Sequence, residues 1–266
     1  MDIWRLLITP PAHGSWNMAV DEAILEAVGS GRSHPTLRLY AWEPACLSLG
    51  YAQPRDDVDM ARLQARGWEL VRRPTGGRAV LHTDELTYAV IAPPDEPRVA
   101  GSVLESYHRL AQALVRALSL LSLPVQVNDA AVAPRHASTN PVCFEVPSTY
   151  EITVDGKKLV GSAQARRKEG VLQHGSLPLT GDITRIVQVL SFPNEASRSR
   201  AAQRLLERAI TVEAALNRKV AWEEAAQACA TAFKSELALD FQPNPLSEEE
   251  NRRADELARV KYGEVV

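Results

Sequence analysis

The sequence predicts an α+β fold, because strand-like and helix-like periods alternate irregularly along one chain of 266 residues that contains no internal repeat. Three observations carry that prediction. Short apolar runs bounded by Gly and Pro recur through much of the chain and read as strands. Two segments, Trp16 to Val28 and Ser102 to Leu121, place apolar residues at helical spacing. The Gly76-Gly77 pair leads into a strand, unlike a nucleotide-binding glycine turn, which opens a helix.

Taken in order, Ile3 to Thr9 reads as a strand. The helix from Trp16 to Val28 sets Trp16, Ala19, Val20, Ala23, Ile24, Ala27 and Val28 on one stripe, with Asn17, Asp21, Glu22 and Glu26 on the other face. Gly29 and Gly31 stop it. Thr36 to Trp42 and Cys46 to Leu49 are short strands broken at Glu43-Pro44, and a short helix from Val58 to Arg66 ends at Gly67. Trp68 to Val71 then runs as a strand into Arg72-Arg73-Pro74-Thr75-Gly76-Gly77-Arg78-Ala79-Val80-Leu81-His82. Glycines without a Cβ let bare backbone approach a ligand, and arginines supply fixed forks of donors, so this run suits an anionic or acyl ligand.

Arg78 to His82 and Leu86 to Ala92, joined by Thr83, Asp84 and Glu85, are expected to open a meander of sheet. Ser102 to Leu121 is the strongest helix, with Val103, Tyr107, Leu110, Leu114, Leu118 and Leu121 in phase. From Asn128 to Pro147 no period is present, and an irregular stretch of that length is a functional loop by default. Tyr150 to Val154 and Lys157 to Ser162 form a hairpin about Asp155-Gly156, a type I′ signal, and Gly170 to Leu179 is a third strand. Arg166, Arg167 and Lys168 make a basic tip, either solvated or able to steer an acidic partner. Helices are expected over Asp182 to Leu190, Ser197 to Thr211, Trp222 to Leu237 and Ser247 to about Val260, the last with Ser247 and Glu250 placed as in a capping box.

With 45% hydrophobic residues, 24% charged and a formal net charge of -3, the composition is that of a globular protein and argues against a general nucleic-acid binder. Neither a signal peptide nor a membrane-length apolar run is present, so a cytoplasmic location without membrane contact is expected. Cys46, Cys143 and Cys229 are too few and too scattered for a disulfide framework, and the six histidines lack metal-ligand spacing, so no metal is expected.

Cys143, between Val142 and Phe144, is either a buried small hydrophobe or a thiol whose pKa a nearby ammonium lowers, since the hairpin that follows carries Lys157 and Lys158. Pairing across the turn puts these lysines on opposite faces, so one of them at most points into a given site. His174, in Gln173-His174-Gly175-Ser176, is an ordinary strand histidine or a pocket wall.

The run from Arg72 to His82 closely resembles the signature of the lipoate ligase and octanoyltransferase family. Further matches occur in the same order at Asn17-Met18-Ala19-Val20-Asp21-Glu22-Ala23, Glu85-Leu86-Thr87-Tyr88-Ala89-Val90, Gly156-Lys157-Lys158-Leu159-Val160-Gly161-Ser162-Ala163-Gln164 and Gln173-His174-Gly175-Ser176-Leu177. The resemblance implies a biotin/lipoate protein ligase-like catalytic fold: a mixed β-sheet with helices packed around it. One such domain over 1–266 is expected, with a helical C-terminal extension from about 197 to 266. It also implies that Lys158 is the catalytic lysine. The Cys-Phe pair about fifteen residues ahead of it resembles the LipM-type octanoyltransferases and implies that Cys143 is the nucleophile.

The expected pocket then includes Arg73, Thr75, Gly76, Gly77, Arg78, Val80, Leu81 and His82, with Gly161, Ser162, Ala163, His174 and Gly175 opposite. Octanoyl-acyl carrier protein would be the donor. Lipoyl domains of 2-oxoacid dehydrogenases or the glycine-cleavage H protein would be the acceptors, with no cofactor needed. The competing readings are an ATP-dependent lipoate-protein ligase and a non-catalytic lipoyl-domain binding protein.

Overall fold

The computed structural model describes residues 2–128 and 151–263. Its strands are β1 (Asp2–Ile8), β2 (Thr36–Tyr40), β3 (Cys46–Leu49), β4 (Glu69–Arg72), β5 (Val80–His82), β6 (Glu85–Ala92), β7 (Gln126–Asn128), β8 (Glu151–Val154), β9 (Lys157–Lys158), β10 (Gly161–Arg167), β11 (Gly170–Pro178) and β12 (Leu239–Pro243). Its α-helices are α1 (Gly14–Gly29), α2 (Met60–Ala65), α3 (Val103–Leu120), α4 (Glu195–Arg208), α5 (Val212–Leu216), α6 (Trp222–Glu236) and α7 (Glu248–Val260).

Six strands form a mixed central sheet in the order β10-β11-β6-β2-β1-β12. β1 runs parallel to β2 and β12, and the remaining neighbours are antiparallel. Alternation along its middle strands feeds two cores. Leu37 and Leu39 of β2, with Leu86, Tyr88 and Val90 of β6, face α3 and α6; Tyr40, Ala89 and Ile91 face α1 and α7. Because helices cover both faces, polar residues in these strands are swallowed as well. Arg38, between Leu37 and Leu39, is fully buried.

That second helical layer corrects the reading of α1. Asn17, Asp21 and Glu22 lie on the face opposite the apolar stripe, yet all three are buried, because α7 and the sheet close over them. Glu22 accepts from Lys261, Tyr262 and Arg167, and Glu26 pairs with Arg253. Arg166 and Arg167 therefore do not form a solvated tip. They lie in β10, and Arg166 donates to the carbonyl of Val99.

The expected meander is also corrected. β5 pairs with β3, whose other neighbour is β4, whereas β6 pairs with β2 and β11. Between them the chain crosses from the small sheet to the central one, which buries Glu85 at the junction. A third core, formed by Leu47, Leu49, Leu63, Leu70, Ile186 and Leu205 among others, joins the small sheet to α4 and to a 3-10 helix over Ile183–Gln188.

The hairpin forms as expected, with Asp155 and Gly156 both at positive φ and Thr153 opposite Lys158. Its return strand is short. The expected return from Lys157 to Ser162 is split: Gly161–Arg167 forms β10, a separate strand that pairs with the expected third strand β11, and β7 pairs with the hairpin at β8. β12 falls in the stretch between the two helices expected over Trp222 to Leu237 and Ser247 to Val260, to which the sequence assigns no element. Its five residues add to the sheet edge beside β1.

Candidate functional site

The glycine run folds around Arg73. Its guanidinium donates to the carbonyls of Gly76 (2.8 Å), Arg78 (2.7 Å) and Ser48 (3.1 Å), drawing the turn into a loop about one cation. Gly77 sits at φ +94°, a conformation that favours glycine. Gly50 packs against it so closely that a Cβ there would lie 2.0 Å from the Gly77 carbonyl oxygen.

Between this loop and the central sheet lies a cavity of about 460 Å³, counted with its open mouth. Gly77, Val80, His82 and Arg73 wall it on one side, and Gly161, Ser162, Ala163, His174 and Gly175 on the other. Met18, Tyr40, Trp42, Ser48, Thr87 and Ser176 complete it. Gly175 leaves no room for a side chain, since a Cβ would lie 2.4 Å from the Tyr88 ring and 2.8 Å from the Gly161 carbonyl. Backbone therefore forms part of that wall. A largely apolar hollow with a few fixed polar groups suits a slender chain ending in a polar head.

Two histidines border the cavity, and each has a buried carboxylate beside it. His82 Nδ1 lies 2.7 Å from Glu85 Oε1, and its Nε2 lies 2.8 Å from Ser48 Oγ. Trp42 stacks on the ring at 4.0 Å, and its indole N–H donates to Thr87. Burial pushes the Glu85 carboxyl up, but His82 and the hydroxyls of Ser176 and Thr87 outweigh it and hold the group below its usual range. His174 shares a 2.7 Å hydrogen bond with Thr75 Oγ1, and its Nδ1 lies 3.6 Å from Asp21 Oδ2. Asp21 is buried, which raises its pKa, yet Arg38 at 2.7 Å and His174 together bring the net shift below the usual value. Burial drives the His174 pKa down despite Asp21.

Of the residues expected from sequence, nine line this cavity: Arg73, Gly77, Val80, His82, Gly161, Ser162, Ala163, His174 and Gly175. Thr75, Gly76 and Arg78 stand behind the wall, as hydrogen-bond partners of His174 and Arg73. Leu81 lines a neighbouring hollow that shares Val80 and Ser176 with it. Lys158 is buried at the end of β9, three residues before Gly161, and bridges through its backbone to Ala209, which lines that neighbouring hollow. Lys157, on the other face, donates to the Leu206 carbonyl of α4.

Cys143 lies outside the described residues. The other two thiols are buried. Burial, with Glu69 and Glu85 near, pushes Cys46 well above its ordinary value, and burial alone brings Cys229 up to about 12. Neither is a thiolate near neutral pH.

Sequence reasoning missed Ser48, Glu85, Trp42, Asp21 and Arg38 as parts of the site. An arginine in the middle of an otherwise apolar strand, Thr-Leu-Arg-Leu-Tyr, was the available signal for Arg38. For Glu85 it was a carboxylate three residues after His82 at the head of an apolar strand.

A family model described as the lipoyl protein ligase A/B catalytic domain matches residues 13–234, a span that holds every wall of the cavity. The chain is 44% identical over 262 residues to the octanoyltransferase LipM of Moorella thermoacetica, covering 98% of this chain and 96% of that one. It is 39% identical over 267 residues to the octanoyltransferase LipM of Brevibacillus brevis, covering 98% and 97%. Among solved structures it is similar to a bipartite lipoate protein ligase from Thermoplasma acidophilum, with a TM-score of 0.82, 26% identity and coverage of 99% and 95%. The chain belongs to the lipoyl protein ligase A/B catalytic-domain family.

Proposed function

We propose that the chain is an octanoyltransferase, moving an octanoyl group from octanoyl-acyl carrier protein to a lysine of lipoyl domains or of the glycine-cleavage H protein. The observation that carries this reading is the near-complete match, at 44% identity over 98% of the chain, to a protein named an octanoyltransferase. The mainly apolar cavity beside the Arg73 loop supports it, because an eight-carbon chain needs such a slot.

The route is ping-pong through Cys143. Its thiolate attacks the thioester carbonyl, the C–S bond to the carrier breaks, and the carrier leaves as a thiolate that takes a proton from solvent. The acceptor amine then attacks the enzyme thioester, gives up a proton, and expels the Cys143 thiolate to leave an amide. Lys158 donates a hydrogen bond to the reacting carbonyl and its ammonium favours the thiolate. The entering thioester is already activated, so no nucleotide takes part.

Intact-mass measurement after mixing with octanoyl-acyl carrier protein tests the route. The expected result is an octanoyl adduct on the wild type that is absent from Cys143→Ala and transfers to a lipoyl domain. An adduct retained in that variant would exclude Cys143. Acceptor modification that requires free octanoate and ATP would make the protein a ligase, and acceptor binding with no transfer would make it a binding protein. Iodoacetamide on the native protein is expected to modify Cys143 and to spare buried Cys46 and Cys229.

A further inference from the structure

Three side chains at the cavity are arranged for acyl chemistry of their own. β3 and β5 are antiparallel with Cys46 opposite His82 and Val80 opposite Ser48, so Ser48 and His82 are diagonal neighbours on one face of the small sheet. Their side chains meet at 2.8 Å. The Glu85 carboxylate can only accept, so His82 Nδ1 carries the hydrogen of their 2.7 Å bond. In the neutral ring Nε2 is then a lone pair, directed at the hydroxyl of Ser48. Trp42, stacked at 4.0 Å, fixes the ring, and Arg73 Nη1 lies 3.1 Å from Ser48 Oγ, where its charge favours a developing alkoxide. Nucleophile, base and orienting carboxylate in hydrogen-bond contact are the ordinary signature of an activated serine. Both Ser48 and His82 line the cavity.

We propose that Ser48 is a second nucleophile, which gives the protein a slow acyl-ester and acyl-thioester hydrolase activity that does not use Cys143. The Ser48 Oγ–H proton passes to His82 Nε2 as Oγ bonds to the acyl carbonyl carbon. The C–O or C–S bond to the leaving group breaks, and that group leaves with the proton from His82. Water then attacks the seryl ester and gives a proton to His82; the ester bond breaks, and Ser48 recovers the proton. The net reaction consumes one ester or thioester and one water and yields a carboxylic acid and an alcohol or thiol. The proposal rests on the acyl-transfer reading for the choice of an eight-carbon probe.

The test uses full-length Cys143→Ala protein, in which the cysteine route is absent. An octyl fluorophosphonate, which loses fluoride as it phosphonylates an activated serine, is expected to add once and to map to the peptide containing Ser48. Hydrolysis of p-nitrophenyl octanoate by the same protein is expected to fall about a hundredfold when Ser48→Ala or His82→Gln is added. Absence of label on Ser48 overturns the proposal whether or not the double variants fold, and so does hydrolysis unchanged by Ser48→Ala. Octanoyl transfer by the wild type is measured in parallel. Transfer without Ser48 labelling sinks the serine alone, and labelling without transfer sinks the transferase reading alone.

Discussion

His82 and His174 border one cavity, each set between a buried carboxylate and a hydroxyl: Glu85 and Ser48 for the first, Asp21 and Thr75 for the second. The two chains differ in what neutralises the carboxylate. Asp21 is met by the Arg38 guanidinium and by the Tyr40 hydroxyl, and it stands 3.6 Å from His174, beyond hydrogen-bond length. Glu85 meets His82 at 2.7 Å together with the hydroxyls of Thr87 and Ser176, and among the described residues it has no arginine partner. The Asp21 charge is shared between a guanidinium and an imidazole. A carboxylate that otherwise faces only hydroxyls holds its field for the ring. The hydroxyls differ too: Ser48 lines the cavity, whereas Thr75 stands behind it and ties the glycine loop to the sheet. The same three kinds of residue thus build a frame on one side and a set of reacting groups on the other.

The largest separation between the two chains is expected in stability. Asp21→Asn leaves Arg38 charged and fully buried without its counter-ion, which costs about 3–5 kcal/mol. Glu85→Gln keeps an acceptor oxygen but turns the other position into a donor facing donors, a mismatch of about 1–3 kcal/mol. Urea unfolding of both variants checks the order. If Asp21→Asn costs no more than Glu85→Gln, the two carboxylates are not compensated differently, and the contrast drawn between them fails.

A smaller effect is expected where the chains share the loop. Alanine at Gly50 would drive its Cβ into the Gly77 carbonyl, backbone that cannot rotate away, for an overpacking cost of about 1–3 kcal/mol. Displacing Gly76 and Gly77 also pulls on Arg73, the group that touches Ser48, while His174 stays anchored in β11. Thermal unfolding and octanoyl transfer are both expected to drop for Gly50→Ala. Full activity at unchanged melting temperature would show that the loop yields freely and that Arg73 is not held by it.

The sequence carried the outline of this site better than its supports. The Arg72 to His82 run, the hairpin turn and the His174 strand were legible because short-range rules govern them: glycine at positive φ, Asp-Gly at a type I′ turn, alternation along a strand. Arg38, Asp21 and Glu85 were not, because their roles depend on which face of the sheet a second helix layer covers. The apolar stripe of α1 marked one buried face but gave no sign that α7, more than two hundred residues later, would bury the other. Distance in sequence also hid β12, whose apolar content is only Leu239, Phe241 and Pro243, and whose existence depends on the free edge of β1. β10 was missed for a related reason. Gly-Ser-Ala-Gln-Ala-Arg-Arg has little strand propensity, and it is held in place by β11 across seven paired positions.

The smallest and most selective effect is in the pH dependence of folding. Burial is the main cause that lowers the His174 pKa below the ordinary 6.5, with the charges of Arg73 and His82 adding to it and Asp21 opposing it. As pH falls through that ordinary value the unfolded chain takes up a proton that folded His174 refuses. The unfolded state then binds more protons than the native one, so stability falls on acidification and is flat at this site above it. Asp21, Glu22, Glu85 and Glu250 all have lowered pKa values, so their own losses come at more acid pH. Unfolding free energies measured between about pH 7.5 and pH 5.5 are therefore expected to decline in the wild type and to decline less in His174→Gln, where the histidine ordinarily titrating in that window is gone. An equal slope in both proteins would mean that folded His174 takes up its proton as readily as the unfolded chain does. Asp21, acting across the 3.6 Å gap, would then offset the burial of His174, and the Arg38 guanidinium would not have taken up its whole charge.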